Sequence, residues 1–211
     1  MSLPAVSSPR PSPPFRLVLV GVGGQGCVTA GRAVGSAAVS LGLDARVGEL
    51  HGLSQRGGSV QCTVVIGPGR TSRIERGQAD AVLALEPLEA LRALPFVSGR
   101  TLVLVNAGRI VPFLLTLGGV AYPSEEEILE RLRRAAREVL LVDASARAEE
   151  AGAGQVLNVV MLGTLAASGV LPFPGEALAG AVERTSPARL LEVNRRAFNF
   201  GREAAAGRSP A

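Results

Sequence analysis

A Rossmann-like α/β domain, with a mostly parallel sheet flanked by helices and a largely helical C-terminal third, is the fold that three features of the sequence predict. Residues 15–20, Phe-Arg-Leu-Val-Leu-Val, form a short β-rich run that stops at a glycine cluster and gives way to the small residues of a helix over 27–39. Apolar runs at 81–85 and 101–105 flank a helical stretch at 86–94, the strand–helix–strand rhythm of parallel crossover units. Helical patterns then follow one another over 156–167, 174–182 and 188–200.

Taken in order, residues 1–14 carry prolines at 4, 9, 11, 13 and 14 among serines, a composition that holds neither helix nor ladder, and are expected to be a disordered tail. Residues 44–50 read as a second strand. Residues 59–66 alternate Val60, Cys62, Val64 and Ile66 with Ser59, Gln61 and Thr63, which suits a half-buried third strand ended by Gly67-Pro68-Gly69. Ser124, with Glu127 three residues on, forms a capping box for a helix whose Ile128, Leu129, Leu132, Ala135 and Ala136 share a face. Its early acids and late arginines suit the helix dipole, which accounts for Arg131, Arg133, Arg134 and Arg137 without a ligand. Residues 139–142 are a further strand. A single domain over 15–200 is expected, with 201–211 as a second tail.

Composition narrows the chemistry. Of the 211 residues, 47% are hydrophobic but only 3% aromatic, so aliphatic side chains must fill the core. All 22 basic residues are arginine, which removes the phosphate-binding lysine of a P-loop and any Schiff-base lysine. The formal charge of +4 is spread among 18 acids rather than gathered into a basic arm with stacking aromatics, and no nucleic-acid role is expected. Two cysteines, Cys27 and Cys62, stand far apart and cannot make a four-cysteine metal or iron–sulfur site. No apolar run suits a membrane span and no signal-peptide pattern opens the chain, so a cytoplasmic location is expected.

Two segments could carry chemistry. Gly21-Val22-Gly23-Gly24-Gln25-Gly26 holds G-x-G-x-x-G between strand and helix, where glycines let the backbone approach a phosphate and the helix N-terminus adds free N–H groups. The alternative is a tight turn that only packs helix on sheet. Glu49 lies where a dinucleotide-binding domain places its ribose-binding acid, which by itself favours NAD. The segment 51–59 sets the single histidine, His51, with Gln55 and Arg56 among Gly52, Gly57 and Gly58. Arg56 could grip a carboxylate or phosphate with two hydrogen bonds, Gln55 could donate or accept, and His51 could change charge near neutral pH. A loop of this composition is expected to bind something, and the alternative is a turn whose arginine is solvated. Cys27 is expected to be a small buried thiol and Asn158 a cap or turn residue, while helix-dipole effects explain Glu86 and Glu89. No catalytic or metal-ligating set emerges.

The two glycine loops together resemble the gamma-type domain of the 2-oxoacid:ferredoxin oxidoreductases. The likeness extends through HGLSQRGGSV at 51–60, ADAVLALEPLEALR at 79–92, NVVMLGTLAASGVLP at 158–172 and NRRAFNFG at 194–201. The HG-x-x-QRGG form is nearer the indolepyruvate-type beta subunits than the pyruvate or 2-oxoglutarate gamma subunits. This resemblance implies that no cofactor is bound by the chain alone. It implies a large alpha subunit carrying thiamine diphosphate and 4Fe-4S clusters, with which the chain would help convert an aryl pyruvate and coenzyme A to acyl-CoA and carbon dioxide, ferredoxin taking the electrons. Within it, Gly21, Gly23, Gly24, Gln25 and Gly26 would approach a phosphate-bearing ligand, and His51, Gln55, Arg56, Gly57 and Gly58 would border the cleft shared with that subunit. Two other functions stay open: an NAD(P)-dependent dehydrogenase with a Rossmann domain, and a structural interaction subunit.

Overall fold

The computed structural model describes residues 13–51, 58–110 and 121–207, with His51 placed by its backbone only. The predicted α/β fold is present. Strands β1 (Phe15–Val22), β2 (Ala45–His51), β3 (Ser59–Ile66), β4 (Ala81–Ala84), β5 (Leu102–Asn106) and β6 (Glu138–Val142) form one sheet in the order β2-β3-β1-β4-β5-β6. β1, β4, β5 and β6 run parallel, whereas β3 pairs antiparallel with both β1 and β2. The expected third strand coincides with β3, and its alternation reflects its two faces: Cys62, Val64 and Ile66 join one core and Val65 the other.

Helices cover both faces. α1 (Cys27–Ser40), α4 (Ala144–Ala151), α5 (Leu157–Ala167), α6 (Gly175–Thr185) and α7 (Leu191–Ala206) bury their apolar sides in a core with Leu17, Leu19, Leu83, Leu102 and Leu104 of the strands. α2 (Pro87–Arg92) and α3 (Glu125–Ala135) pack on the opposite face against Val18, Val20, Val82, Val103 and Val105. The central strands are therefore buried on both sides, which is why they read as continuous apolar runs. α3 begins at the predicted capping box, with Glu127 N donating to Ser124 Oγ at 3.2 Å and Ser124 N donating to Glu127 Oε2 at 2.8 Å.

Two elements differ from expectation. α4 is an additional helix, started by Asp143, whose side chain accepts from Ala146 N, and stopped by Gly152 at φ +116°. α7 continues to Ala206, so the C-terminal tail does not begin at residue 201. Gly201, expected to open the C-terminal tail, is instead a packing residue. A side chain there would overlap the Val160 carbonyl of α5, and Thr164 Oγ1 donates across the same contact to Gly201 O at 3.1 Å.

Candidate functional site

β1 is followed by a helix on one face of the sheet and its neighbour β4 by a helix on the other. That arrangement makes their carboxyl ends a topological switch point, where open α/β sheets place ligands. The first glycine motif lies there, next to Gly58 of the second. Gly24 and Gly26 adopt φ of +105° and +81°, conformations that side chains resist, and the chain turns through them straight into α1. Among the described residues no side chain caps α1, and its first turn holds no acid, so its leading N–H groups have no side-chain acceptor there. Gly23 N donates to Gly58 O at 2.8 Å, which joins the first loop to the last glycine of the second.

The candidate residues divide into inward and outward sets. Gly23, Gly24 and Gly26 reach the surface, but Gly21 and Gln25 do not. A Cβ on Gly21 would lie 3.0 Å from Gln25 Oε1 and 3.1 Å from Leu85 Cβ, so this glycine serves close packing. Gln25 is 7% exposed: its Oε1 accepts from Val22 N at 2.7 Å and its Nε2 donates to Leu85 O at 2.9 Å. Both ends of the Gln25 amide are thus engaged by backbone groups of this chain. Its amide bridges the ends of β1 and β4 and closes the bottom of the crevice. Leu85 O also accepts from Asn106 Nδ2 at 3.0 Å, and Asn106 Oδ1 accepts from Ala144 N at 3.1 Å, extending the brace to α4.

His51 ends β2 opposite Val60, while Gln55, Arg56 and Gly57 lie outside the described residues. Beside the start of β3 is a pair of buried carboxylates that helix-dipole reasoning undervalued. Glu86 and Glu89 are each 1% exposed. Glu86 caps α2 by accepting from Glu89 N at 3.0 Å and also takes the Tyr122 hydroxyl. Burial, then the bond to Glu86, raises the Tyr122 pKa, so this hydroxyl stays protonated and donates. Glu89 accepts from Ser59 Oγ at 2.5 Å and pairs with Arg92, which anchors the start of β3 directly after Gly58.

Asn158 is not a cap. From α5 its Nδ2 donates to Gly26 O at 3.3 Å, and a Cβ on Gly26 would sit 2.5 Å from that nitrogen, so a larger residue there would displace the Asn158 amide as well as strain a φ of +81°. A cavity of about 270 Å³ opens between the glycine loop, α1 and α5 to α7, with Gly24, Gly26, Thr29, Asn158, Leu162 and Asn194 in its wall. Cys27 and Cys62 are buried, and burial is the first cause pushing each thiol up to about 12, so both stay protonated near neutral pH and neither is a nucleophile.

Glu49 corrects another expectation. Because β3 stands between β2 and β1, the ribose-binding position beside the first strand is not formed. Arg32 instead donates to Glu49 Oε1 through Nε at 3.0 Å and Nη2 at 2.8 Å. Among the described residues no group of His, Cys, Asp and Glu is placed to hold a metal ion, and no helix is long and apolar enough to cross a membrane.

Comparison with known proteins agrees with this geometry. The family model described as pyruvate ferredoxin/flavodoxin oxidoreductase matches residues 16–204. The chain is 40% identical over 198 residues to indolepyruvate oxidoreductase subunit IorB of Archaeoglobus fulgidus, covering 93% of this chain and 98% of that one. It is 41% identical over 192 residues to the subunit of the same name from Methanothermobacter thermautotrophicus, covering 91% and 98%. The crystal structure of the gamma subunit of a keto/oxoacid ferredoxin oxidoreductase from Geobacter sulfurreducens superposes with a TM-score of 0.66 at 26% identity, over 92% of this chain and 99% of that one.

Proposed function

Because the chain belongs to the pyruvate ferredoxin/flavodoxin oxidoreductase family, we propose that it is the small subunit of an enzyme that oxidatively decarboxylates indolepyruvate or a related aryl pyruvate. The carboxylate leaves as carbon dioxide, the acyl carbon bonds to the sulfur of coenzyme A, the thiol gives up its proton, and the electron pair passes to ferredoxin. Thiamine diphosphate and 4Fe-4S clusters supply the electron sink and relay, and the larger subunit carries them. Two cysteines do not fit a cluster, so this chain's part is binding and positioning.

One observation carries that role: the glycine loop ends in an uncapped α1 N-terminus at the switch point of the sheet. Backbone N–H groups aimed outward beside a positive dipole end suit a phosphate of coenzyme A. Gly58 is fastened to Gly23 at this edge, and Gln55, Arg56 and Gly57, which precede it in sequence, would border the cleft shared with the large subunit. The dehydrogenase alternative loses its support, because Glu49 is paired with Arg32 across a sheet order that dinucleotide domains do not use.

The test co-expresses the chain with its large subunit and follows aryl-pyruvate-dependent reduction of ferredoxin or a dye. The complex is expected to turn over, and the purified chain alone to be colourless and inactive. In the complex, Arg56→Lys keeps the charge but loses the two-pronged hydrogen bond. It is expected to raise the Michaelis constant for coenzyme A or for the oxoacid without loss of assembly on size exclusion. The specificity constant should fall more than about tenfold, the equivalent of roughly 1.5–3 kcal/mol for a hydrogen bond to a charged group. Turnover by the isolated chain would overturn the subunit role. Unchanged constants for both substrates would make Arg56 a solvated loop residue.

A further inference from the structure

The buried carboxylate of Glu89 is directed away from the helix that carries it. Glu89 is the third residue of α2, a position from which a glutamate commonly reaches back to the N-cap backbone N–H. Its oxygens go elsewhere: Oε1 takes the Arg92 guanidinium and Oε2 accepts from Ser59 Oγ at 2.5 Å. Glu86 does the capping, accepting from Glu89 N at 3.0 Å. A carboxylate only 1% exposed and paired with one cation adds little to stability on balance, because desolvation offsets the attraction. Nor does β3 need it to stay in the sheet, since that strand is laddered to β1 from Ile66 to Ser59 and to β2 from Ile66 to Val60.

What the ladder leaves unheld is the chain just outside it. Ser59 is the first residue of β3 and lies past the last β2 pair, His51 with Val60. The residue before it, Gly58, accepts from Gly23 N at 2.8 Å, and from Gly23 the chain turns through Gly24 and Gly26 into α1. A charge-assisted bond at Ser59 therefore sets where the Gly58 carbonyl stands, and that carbonyl sets the turn at Gly23. The Glu89 charge reaches the same corner. Burial chiefly, with smaller contributions from Cys62 and Glu89, pushes up the thiol of Cys27, the first residue of α1. An anion at this helix end would feel that carboxylate too, and half-exposed Arg92 offsets it. We propose that Glu89 is a positioning residue for the crevice at the carboxyl ends of β1 and β4: through Ser59 and Gly58 it holds the glycine loop in its anion-facing conformation, while Arg92 cancels its charge. The assignment rests on the functional reading above, in which the anion is a phosphate of coenzyme A.

The experiment measures steady-state kinetics of the co-purified complex, with coenzyme A and indolepyruvate varied separately and size exclusion confirming assembly. Ser59→Ala, at an exposed position, is expected to raise the Michaelis constant for coenzyme A at least about fivefold, the scale of one lost hydrogen bond. It should leave kcat and the constant for indolepyruvate within about twofold. Ser59→Thr restores the hydroxyl and should return the coenzyme A constant to within about twofold of wild type. Arg92→Gln leaves the Glu89 charge uncompensated and should raise the same constant. Adding Glu89→Gln, whose amide carbonyl still accepts from Ser59, should reverse most of that rise, which a merely structural role would not produce. The assignment is overturned by an unchanged coenzyme A constant in Ser59→Ala, by equal rises for both substrates, by failure of Ser59→Thr to rescue, or by a double variant no better than Arg92→Gln. If the wild-type complex consumes indolepyruvate and coenzyme A, only the Glu89 assignment falls; if it consumes neither, the functional reading falls with it.

Discussion

Gln25→Glu is expected to destabilise the chain by about 3–5 kcal/mol at pH 8, the cost of an uncompensated buried charge, and by much less near pH 5. Gln25 is 7% exposed and uses both ends of its amide, Oε1 accepting from Val22 N and Nε2 donating to Leu85 O. A carboxylate can keep the first bond, but it sets a negative oxygen against the Leu85 carbonyl. Only the protonated carboxyl can donate there, so its folded-state pKa rises above the unfolded value of about 4.3. The folded state then binds more protons than the unfolded state, and stability falls as pH rises from the unfolded pKa toward the folded one. Gln25→Met loses both hydrogen bonds without adding a charge and should cost about 2–3 kcal/mol at either pH. Urea unfolding of wild type and both variants at pH 5 and pH 8 makes the comparison. A Gln25→Glu deficit that does not grow with pH would show that the amide does not face the Leu85 carbonyl. This bridge holds the glycine loop at the end of β1, so under the proposed function weaker coenzyme A binding by the assembled enzyme should accompany the loss.

Gly201→Ala should cost on the order of 3 kcal/mol, and the sign carries the information. At an ordinary helix interior the same change stabilises by about 1 kcal/mol. In α7 a Cβ at Gly201 would overlap the Val160 carbonyl oxygen and come within 2.8 Å of Thr164 N, both backbone atoms of α5 that no rotamer change can move. The helices would have to separate, with loss of the Thr164 Oγ1 to Gly201 O hydrogen bond of 3.1 Å, and overpacking of this kind typically costs about 1–3 kcal/mol or more. Gly99→Ala is the control, since a Cβ there meets nothing within 4 Å and its stability should change by less than about 0.5 kcal/mol. A Gly201→Ala variant as stable as wild type in urea would mean that α5 and α7 pack less closely than the structure shows.

What the amino-acid order determined by itself was whatever short-range chemistry encodes. Apolar runs ended by glycine marked the strands, and the Ser124 and Glu127 capping box marked the start of α3. The glycine motif marked the turn into α1, and the two loops marked the family. Each of these is decided within a few residues, by backbone sterics at glycine or by side-chain to backbone hydrogen bonds, so each is legible locally. Tertiary structure alone decided which strands are neighbours and which side chains face one another. The same alternation in β3 would suit either direction, and its antiparallel insertion between β1 and β2 turned Glu49 from a candidate ribose ligand into the partner of Arg32. The Gln25 amide found its partner at Leu85, 60 residues on, and Asn158 looked like a cap until it reached Gly26 from 132 residues away. Periodicity reports that a face is buried but not against what. A polar side chain's partner is fixed only when folding brings distant backbone groups within about 3 Å of it, so the inward brace of the loop could come only from the assembled fold.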